Sequence, residues 1–391
     1  MKSKNKIVVR IPPSPTGYFH IGRARTALFN YLYAKKHRGE IVFRIEDTDK
    51  ERSKKEYEED IISSLAWLGI TYDHGPFRQS ERGEIYKKYI EKLLSEGKAY
   101  ISKETEGANK DVIRFKNPNK IIIFSDLIHG DITFDTTELK DFVIARNVND
   151  PLYHLTVVVD DFEMGITHII RGDDGISNTP RQILIQEAIG AERPIYAHVP
   201  LILAPDKSKM SARHGATSLR DFRNQDYLPE AMVNFLGLLG FNPGGERELY
   251  TLKELVEVFD LNRVNKAGAV FNIEKLNWFN KEHIKLLSPE EQLNRVAKDF
   301  DTSTPVLEVE KIPWKDSNAV EAKKHLLKIV DCLDDSEAIM SYANLLGKGS
   351  VLWPLRYVLS GKEKSPDPFT LLKILGRDES EKRVRKAIEL L

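Results

Sequence analysis

Residues 7–36 read IVVRIPPSPTGYFHIGRARTALFNYLYAKK, and this stretch decides the fold. The apolar run at 7–11 predicts a buried strand, and the prolines and glycine of PPSPTG predict a loop where that strand ends. Residues 23–36 repeat apolar side chains at helical spacing, and the basic residues that follow, together with Gly39, are a signal for the end of a helix. A strand, a glycine-containing loop and a helix in succession are typical of the first unit of an α/β sheet.

The same alternation continues along the chain. Further strands are predicted at 41–45 (IVFRI), 155–161 (LTVVVDD), 166–172 (ITHIIRG) and 200–203 (PLIL), and further helices at 53–68 and 180–189. Asn178 precedes Thr179-Pro180 and is expected to cap the helix that starts there. This order predicts a parallel, doubly wound, Rossmann-type α/β domain.

The predicted domains follow from changes in this pattern. A helix at 82–96 and short runs rich in β-branched residues predict an inserted α+β subdomain, and the chain is predominantly helical from about 225 onward. The irregular segment 301–318 is the best linker. The predicted domains are an α/β domain at 1–75 and 151–240, an inserted subdomain at 76–150, a helical region at 241–300 and a second helical region at 301–391.

Composition excludes several classes of protein. The chain has 391 residues, 59 Lys+Arg and 59 Asp+Glu, so its formal net charge is zero. No uncharged apolar stretch approaches the ~20 residues that span a bilayer, and the N-terminal apolar run is too short for a signal peptide. The single cysteine, Cys332, excludes an intramolecular disulfide and a cysteine-based zinc cage. We expect a cytoplasmic protein with no membrane partner and no zinc.

Two loops after predicted strands carry candidate ligand residues. RIPPSPTGYFHIG (10–22) contains Gly17 and Gly22 and leads into a helix, an arrangement that suits a phosphate group because free N–H groups and the helix dipole favour anions. RIEDTDKER (44–52) places carboxylates after the second strand, where open α/β sheets bind their ligands. When each segment is read alone, an ordinary turn with a structural histidine explains residues 10–22 better, and a solvated acidic turn explains residues 44–52 better.

Two further segments add charge to the same predicted edge of the sheet. Arg171 could hold a ligand carboxylate with two parallel hydrogen bonds, and Asp160-Asp161 could hold Mg²⁺, although a salt-bridged turn explains these residues equally well. The basic segment APDKSKMSARHGA (204–216) suits a polyphosphate, although a plain basic loop is favoured when it is read alone. Together the four segments fit a nucleoside triphosphate and an amino or carboxylic acid.

These motifs resemble those of the class I aminoacyl-tRNA synthetases, specifically the glutamyl-tRNA synthetases. His20-Ile21-Gly22 is similar to the HIGH signature of that family, and Lys209–Arg213 (KMSAR) is similar to its KMSKS signature. RIEDTD, VVVDD and IIRGDD also resemble family motifs. Residues 259–284 resemble the region that contacts the tRNA stem, and residues 351–369 resemble the end of the anticodon-binding region. The resemblance therefore covers most of the chain.

The resemblance implies ATP-dependent ligation of L-glutamate to tRNA(Glu) through a glutamyl-adenylate, with Mg²⁺ bound to ATP. By matched motif, it assigns glutamate contacts to Arg10, Ser14, Glu46, Tyr153 and Arg171, and ATP contacts to Thr16, His20, Gly22, Lys209 and Ser211. It also implies that 76–150 binds the tRNA acceptor end, that 241–300 contacts the stem, and that 301–391 is a shortened anticodon-binding region. A monomer is expected, as is common in the family.

The chain departs from the family pattern at several positions. Ala212 stands where the second lysine of the KMSKS signature is expected, Phe162 and Gly175 stand where histidine is usual, and Arg23 replaces a small residue. The segment after Tyr100 and a segment near 288–312 look shortened. These departures favour an enzyme of reduced activity.

Two alternatives remain open from the sequence. One is a catalytically impaired paralogue that binds tRNA or nucleotide as a regulatory module, and the other is a glutamyl transferase acting on a modified tRNA base. Basic residues that could contact tRNA phosphates are more often solvated surface residues when each is taken singly. They are Arg220, Arg223, Arg263, Lys266 and Arg356.

Overall fold

The computed structural model describes residues 6–103, 111–210, 217–288, 291, 303–315, 317–363 and 365–391. The chain divides into two compact units, Met1–His283 and Ile284–Leu391. Across the described residues, no helix combines the length and apolarity that a membrane crossing requires.

Strands and helices alternate in the first 95 residues, and a run of strands follows before the alternation resumes. In chain order they are β1 (Val8–Ile11), α1 (Ile21–Lys36), β2 (Glu40–Ile45), α2 (Lys55–Trp67), β3 (His74–Arg78), α3 (Gly83–Ser95), β4 (Ala99–Lys103), β5 (Asp111–Phe115), β6 (Ile121–Asp126), β7 (Gly130–Asp135), β8 (Phe142–Asn147), β9 (Asp150–Pro151), α4 (Tyr153–Glu163), β10 (His168–Gly172), α5 (Thr179–Ile189), β11 (Ile195–Val199) and β12 (Ile202–Leu203). The helical part that follows comprises α6 (Leu219–Arg223), α7 (Pro229–Leu238), α8 (Leu252–Val258), the short strand β13 (Ala269–Val270), α9 (Ile273–Leu286), α10 (Ala319–Ile329), α11 (Ser336–Leu346), α12 (Lys348–Ser360) and α13 (Pro368–Leu390).

Parallel strands form the centre of the first unit, which confirms the predicted α/β class. β1, β2 and β3 pair in parallel in that order. β10 and β11 also pair in parallel, and the backbone N–H of Thr167 donates to the carbonyl oxygen of Val8, which brings β10 beside β1. The first core fills as the pattern at 23–36 predicts, since Ala24, Leu28 and Leu32 are all fully buried.

Residues 76–150 contribute two antiparallel pieces. β4, β5, β8 and β9 form one antiparallel sheet. β6 and β7 form a hairpin, and β6 joins β11 in parallel through the pair Asp126 and Tyr196. The hairpin therefore extends the β10–β11 sheet and brings the end of β6 close to the end of β10.

The strand predicted at 155–161 is wrong, because these residues lie in helix α4. Every residue from Leu155 to Asp161 is buried. A short apolar run that is buried all round carries no periodicity, so it reads equally well as a strand or as a helix. Asp160 and Asp161 consequently lie near the end of a helix rather than at the end of a strand.

Two smaller expectations also differ from the structure. Of the strand predicted at 200–203, only Ile202–Leu203 is extended, paired with β13, and the longer strand β11 lies before it at Ile195–Val199. Asn178 precedes α5 as predicted, but its side chain makes no capping hydrogen bond, and Pro180 occupies the first turn. Pro180 has no backbone N–H, so this end needs one hydrogen bond fewer.

The regular elements of the second unit, among the residues that the structure describes, are all helices, and α10 to α13 surround its core. Leu326, Val351, Leu355 and Val358 are fully buried there. Within α13, Gly376 adopts φ of 72° and interrupts the helix. A left-handed backbone of this kind is easiest for glycine.

Candidate active site

A cavity of about 820 Å³ lies at the carboxyl ends of β1, β2 and β10. The predicted glutamate and ATP residues that the structure describes all line it: Arg10, Ser14, Thr16, His20, Gly22, Glu46, Tyr153, Arg171 and Lys209. Ser211, with Ala212 and Arg213 beside it, lies outside the described residues. We call the side formed by Arg10, Glu46 and Arg171, together with the buried Arg44 that contacts Glu46, the wall, and the opening formed by Arg23, Lys209 and Asp174 the mouth.

Arg44 holds the acidic residues of the wall in place. It is fully buried, and its guanidinium lies 2.9 Å from Glu46, 2.9 Å from Asp161 and 3.7 Å from Asp160. Burial raises the pKa of Glu46, although the charge of Arg44 opposes that shift. Glu46 reaches this position because β2 ends at Ile45, directly before it.

The paired aspartates fit the salt-bridged alternative rather than a metal site. Asp160 accepts hydrogen bonds from Gln79, Arg82 and Tyr86, and Asp161 lies between Arg44 and Arg10. Within the described ranges, no group of three or more His, Cys, Asp or Glu side chains could hold a metal ion.

Arg10 is a buried cation with unused hydrogen-bonding capacity. Its side chain is 2% exposed, and Nη1 donates to the carbonyl oxygen of Ile170 over 3.3 Å. Nε lies 3.5 Å from Asp161, and among the described residues it has no hydrogen-bond partner. A buried N–H without a partner costs free energy, which a bound acceptor recovers.

Arg171 is held by neutral groups. Nε donates to Nε2 of His198 (3.0 Å), Nη1 to Gln182 (2.7 Å), and Nη2 to both the hydroxyl of Thr179 (2.7 Å) and the carbonyl oxygen of Gly175 (3.1 Å). No carboxylate in the described part of the chain lies within 4 Å of this guanidinium. Because a guanidinium has five N–H groups, only one remains for a ligand, so the two-bond clamp expected from sequence is not available in this geometry.

His20 caps helix α1 and changes the expected phosphate site. Its Nδ1 accepts from the backbone N–H of Gly22 (3.0 Å), and the N–H of Ile21 donates to Thr217 (2.9 Å). These N–H groups are therefore not free for a phosphate, as the sequence led us to expect. Burial, and then the charges of Arg23 and Lys209, lower the pKa of His20. The neutral ring carries its proton on Nε2, which is left as a donor.

The mouth is more open than the wall. Lys209 lies 3.3 Å from Asp174, and the two side chains are 63% and 64% exposed. Arg23 is exposed, and its Nη1 donates to the carbonyl oxygen of Ser14 over 2.7 Å. Arg23, one of the residues that depart from the family pattern, thus supplies a cation at the cavity opening.

The predicted tRNA contacts do not share one environment. Arg220 lies over the ring of Tyr18 and 3.8 Å from Glu56, and Arg223 is exposed on the same helix. Arg263 and Lys266 are exposed in the segment after α8. In the second unit, Arg356 packs over Trp353 and donates to the carbonyl oxygen of Glu363 (2.9 Å).

Sequence reasoning missed three groups around the wall: Arg44, Asp126 and His198. Asp126 ends its strand and carried no such signal, whereas Arg44 and His198 carried a usable one, because a charged or imidazole side chain stands inside an apolar strand run, as in IVFRI and YAHV. Such a residue is buried with its strand and needs a polar partner. The pattern does not show which partner it has, since each partner comes from a distant part of the chain.

Comparisons with known proteins show the family to which the chain belongs. A family model described as "tRNA synthetases class I (E and Q), catalytic domain" matches residues 6–108 and 101–278, and one described as "Anticodon binding domain" matches residues 320–388. A crystal structure of a glutamate tRNA ligase from Elizabethkingia meningosepticum, in complex with its amino acid, is similar with a TM-score of 0.70 at 30% identity. The match covers 99% of this chain and 100% of the Elizabethkingia chain.

Curated relatives match over nearly the full length. The glutamate–tRNA ligase of Thermodesulfovibrio yellowstonii is 38% identical over 462 aligned positions, covering 97% of this chain and 99% of the relative. That of Aquifex aeolicus is 47% identical over 76% of this chain and 70% of the relative. The alignment with the Thermodesulfovibrio relative has 462 positions, whereas this chain has 391 residues. At least 71 positions of the alignment therefore have no residue in this chain. The chain belongs to the glutamate–tRNA ligase family of the class I aminoacyl-tRNA synthetases.

Proposed function

We propose that this chain ligates L-glutamate to tRNA(Glu) through a glutamyl-adenylate. The observation that carries this proposal is the half-buried Arg171, a cation on the cavity wall whose partners are all neutral. Beside it, Arg10 has an unpartnered buried N–H. Together these two cations favour an anionic side chain such as that of glutamate, and Glu46 supports binding of its ammonium group.

The first step needs positioning and charge neutralisation more than proton transfer. The α-carboxylate of glutamate is already a nucleophile. One of its oxygens forms a bond to the α-phosphorus of ATP while the bond to pyrophosphate breaks. Nε2–H of His20, Arg23 and Lys209 are the described groups that support phosphate binding. Mg²⁺ enters with ATP, held by its phosphates, and shields part of their charge.

In the second step, a hydroxyl of the terminal adenosine of tRNA attacks the carbonyl carbon of the adenylate. The carbon–oxygen bond to AMP breaks, AMP leaves with the electron pair, and the proton of the hydroxyl passes to the leaving phosphate. We assign acceptor-end binding to residues 76–150, stem contact to 241–300 and anticodon binding to the shortened region at 301–391, with Arg220, Arg223, Arg263, Lys266 and Arg356 as tRNA contacts. The proposed working form is a cytoplasmic monomer.

Ala212 is expected to lower the rate. A cation that stabilises phosphate charge in the transition state typically contributes ~10²–10³ in rate. Arg23 at the mouth supplies a positive charge of its own, so activity is reduced rather than abolished.

The test is charging of total tRNA with labelled glutamate, comparing this chain with its Ala212→Lys variant. We expect slow charging by this chain and at least about tenfold faster charging by the variant. Arg171→Gln is the matched control and is expected to charge in neither background. If neither this chain nor Ala212→Lys charges tRNA, while tRNA or ATP still binds, the chain is instead a binding module.

A further inference from the structure

Behind Arg171 lies a buried pair of side chains that do not line the cavity. His198, fully buried, is the residue before the last in β11, and Asp126, 4% exposed, ends β6. Nδ1 of His198 lies 2.7 Å from Oδ2 of Asp126, and Nε2 of His198 lies 3.0 Å from Nε of Arg171. The three groups form a continuous chain from the inserted hairpin to the cavity wall.

Arg171 determines the direction of the hydrogen bonds that join it to His198 and His198 to Asp126. A guanidinium can only donate, so Nε2 of His198 must accept and carries no proton. The proton of the neutral ring then sits on Nδ1 and is donated to Asp126. Burial lowers the pKa of His198, which agrees with a neutral ring. Asp126 therefore selects the only tautomer that can hold Arg171.

Asp126 is itself held firmly. Its carboxylate accepts from the backbone N–H groups of Ile128 (2.9 Å), His129 (3.0 Å) and His198 (3.0 Å). In the same turn, Nε2 of His129 lies 2.9 Å from Asp173, which follows β10. The hairpin is thus attached both to β11, through Asp126 and His198, and to the segment after β10, through His129 and Asp173.

Gly175 leaves the space that this arrangement needs. A Cβ atom at this position would lie 2.4 Å from Nε and 2.7 Å from Cδ of Arg171. Real Cβ contacts are essentially never this short, so any other residue at 175 must displace the arginine. The glycine that departs from the family pattern is therefore matched to the observed orientation of Arg171.

We propose that Asp126 and His198 are positioning residues for glutamate binding, and that Gly175 provides the clearance for the arginine they hold. The inference rests on the proposed function, in which Arg171 contacts glutamate. Asp126 sets the tautomer of His198, His198 orients Nε of Arg171, and the remaining N–H of Arg171 faces the ligand before glutamate arrives. Preorganisation of this kind lowers the cost of ordering the site on binding.

The test measures KM for glutamate, KM for ATP and kcat, together with direct binding of glutamate by calorimetry. His198→Phe keeps the ring but removes the acceptor, so we expect KM for glutamate to rise by about 10- to 100-fold with KM for ATP unchanged. His198→Gln keeps an acceptor oxygen and is expected to restore most of the affinity. Asp126→Asn is expected to act like His198→Phe although the histidine remains, because it no longer selects the tautomer.

Two further variants separate this role from simple stability. Gly175→Ala is expected to raise KM for glutamate by displacing Arg171. His283→Phe removes another buried histidine, which lies 2.9 Å from Oδ1 of Asn234 away from the cavity, and should leave KM for glutamate unchanged. Thermal unfolding checks that each variant is folded.

The outcomes distinguish this inference from the proposed function. If the wild type charges tRNA but His198→Phe, Asp126→Asn and Gly175→Ala keep its KM for glutamate, the positioning role is overturned and the function stands. Equal losses in His198→Gln and His198→Phe also overturn it, because an acceptor would then not matter. If the wild type neither binds glutamate nor charges tRNA, both are overturned.

Discussion

The wall and the mouth of the cavity hold their charges in different ways. In the wall, the fully buried Arg44 lies against three carboxylates, and the half-buried Arg171 donates to four neutral acceptors. At the mouth, Lys209 has one ion pair at 3.3 Å with both partners mostly exposed, and Arg23 has one backbone acceptor. A buried network is rigid and costly to break, whereas exposed pairs are screened by water and reorganise easily. The wall therefore suits selection of a small amino acid, and the mouth suits entry and release of a nucleotide.

The largest effect is expected from breaking the wall at its centre. Arg44→Met leaves Glu46, Asp160 and Asp161 buried without their shared cation, which typically costs about 3–5 kcal/mol. Urea unfolding measures this loss. The control is Lys55→Met, since Lys55 and Glu59 are 88% and 65% exposed, and a change below about 0.5 kcal/mol is expected there. Similar losses in the two variants would contradict the contrast between buried and exposed pairs.

A pH effect on stability is expected from His168, the buried first residue of β10, the strand that also carries Arg171 of the wall. Burial, and then the nearby His37, lower the pKa of His168 to about 4. Between pH 6.5 and about 4 the unfolded chain takes up a proton that the folded chain refuses, so stability falls as the pH falls. The full shift corresponds to roughly 3 kcal/mol.

His168→Phe keeps a ring beside Tyr33, whose ring centroid lies 5.3 Å away, and cannot take up the proton. Unfolding free energies from pH 7 to pH 4 should therefore fall less steeply in this variant than in the wild type. Parallel pH curves for the two proteins would show that His168 titrates normally in the folded state.

At the mouth, Arg23→Gln tests whether this cation supports ATP binding. We expect KM for ATP to rise about tenfold, because a hydrogen bond to a charged group contributes about 1.5–3 kcal/mol when buried and less when exposed. KM for glutamate should not change, which separates mouth from wall. Pyrophosphate exchange at varied ATP concentration gives both constants. A lower KM for ATP in the variant would mean that Arg23 obstructs the nucleotide.

The smallest effect is expected for Asp174→Asn. Its pair with Lys209 is exposed, so loss of the pair should change the free energy of unfolding by less than about 1 kcal/mol, and less still in high salt. Thermal unfolding at low and high salt measures this. A loss comparable to that in Arg44→Met would remove the distinction between wall and mouth.

The sequence predicted much of this site from local pattern alone. The loop at 10–22, Glu46 after β2 and Arg171 at the end of β10 all lie where strand order places them, and all line one cavity. The failure at 155–161 shows the limit. A run buried on every side has no exposed face to set its period, so α4 reads as a strand until its neighbours are known.

Local order along the chain was enough for the α/β class, because strand and helix periodicity are properties of neighbouring residues. It also brought most of the cavity together, since parallel strands end at a common edge. Which hydrogen bonds those residues make was decided by tertiary structure. Arg171 finds His198, 27 positions away, and His198 finds Asp126, 72 positions away. The first pairing depends on β10 lying beside β11 and the second on the hairpin docking beside β11, and no local pattern records contacts across such separations.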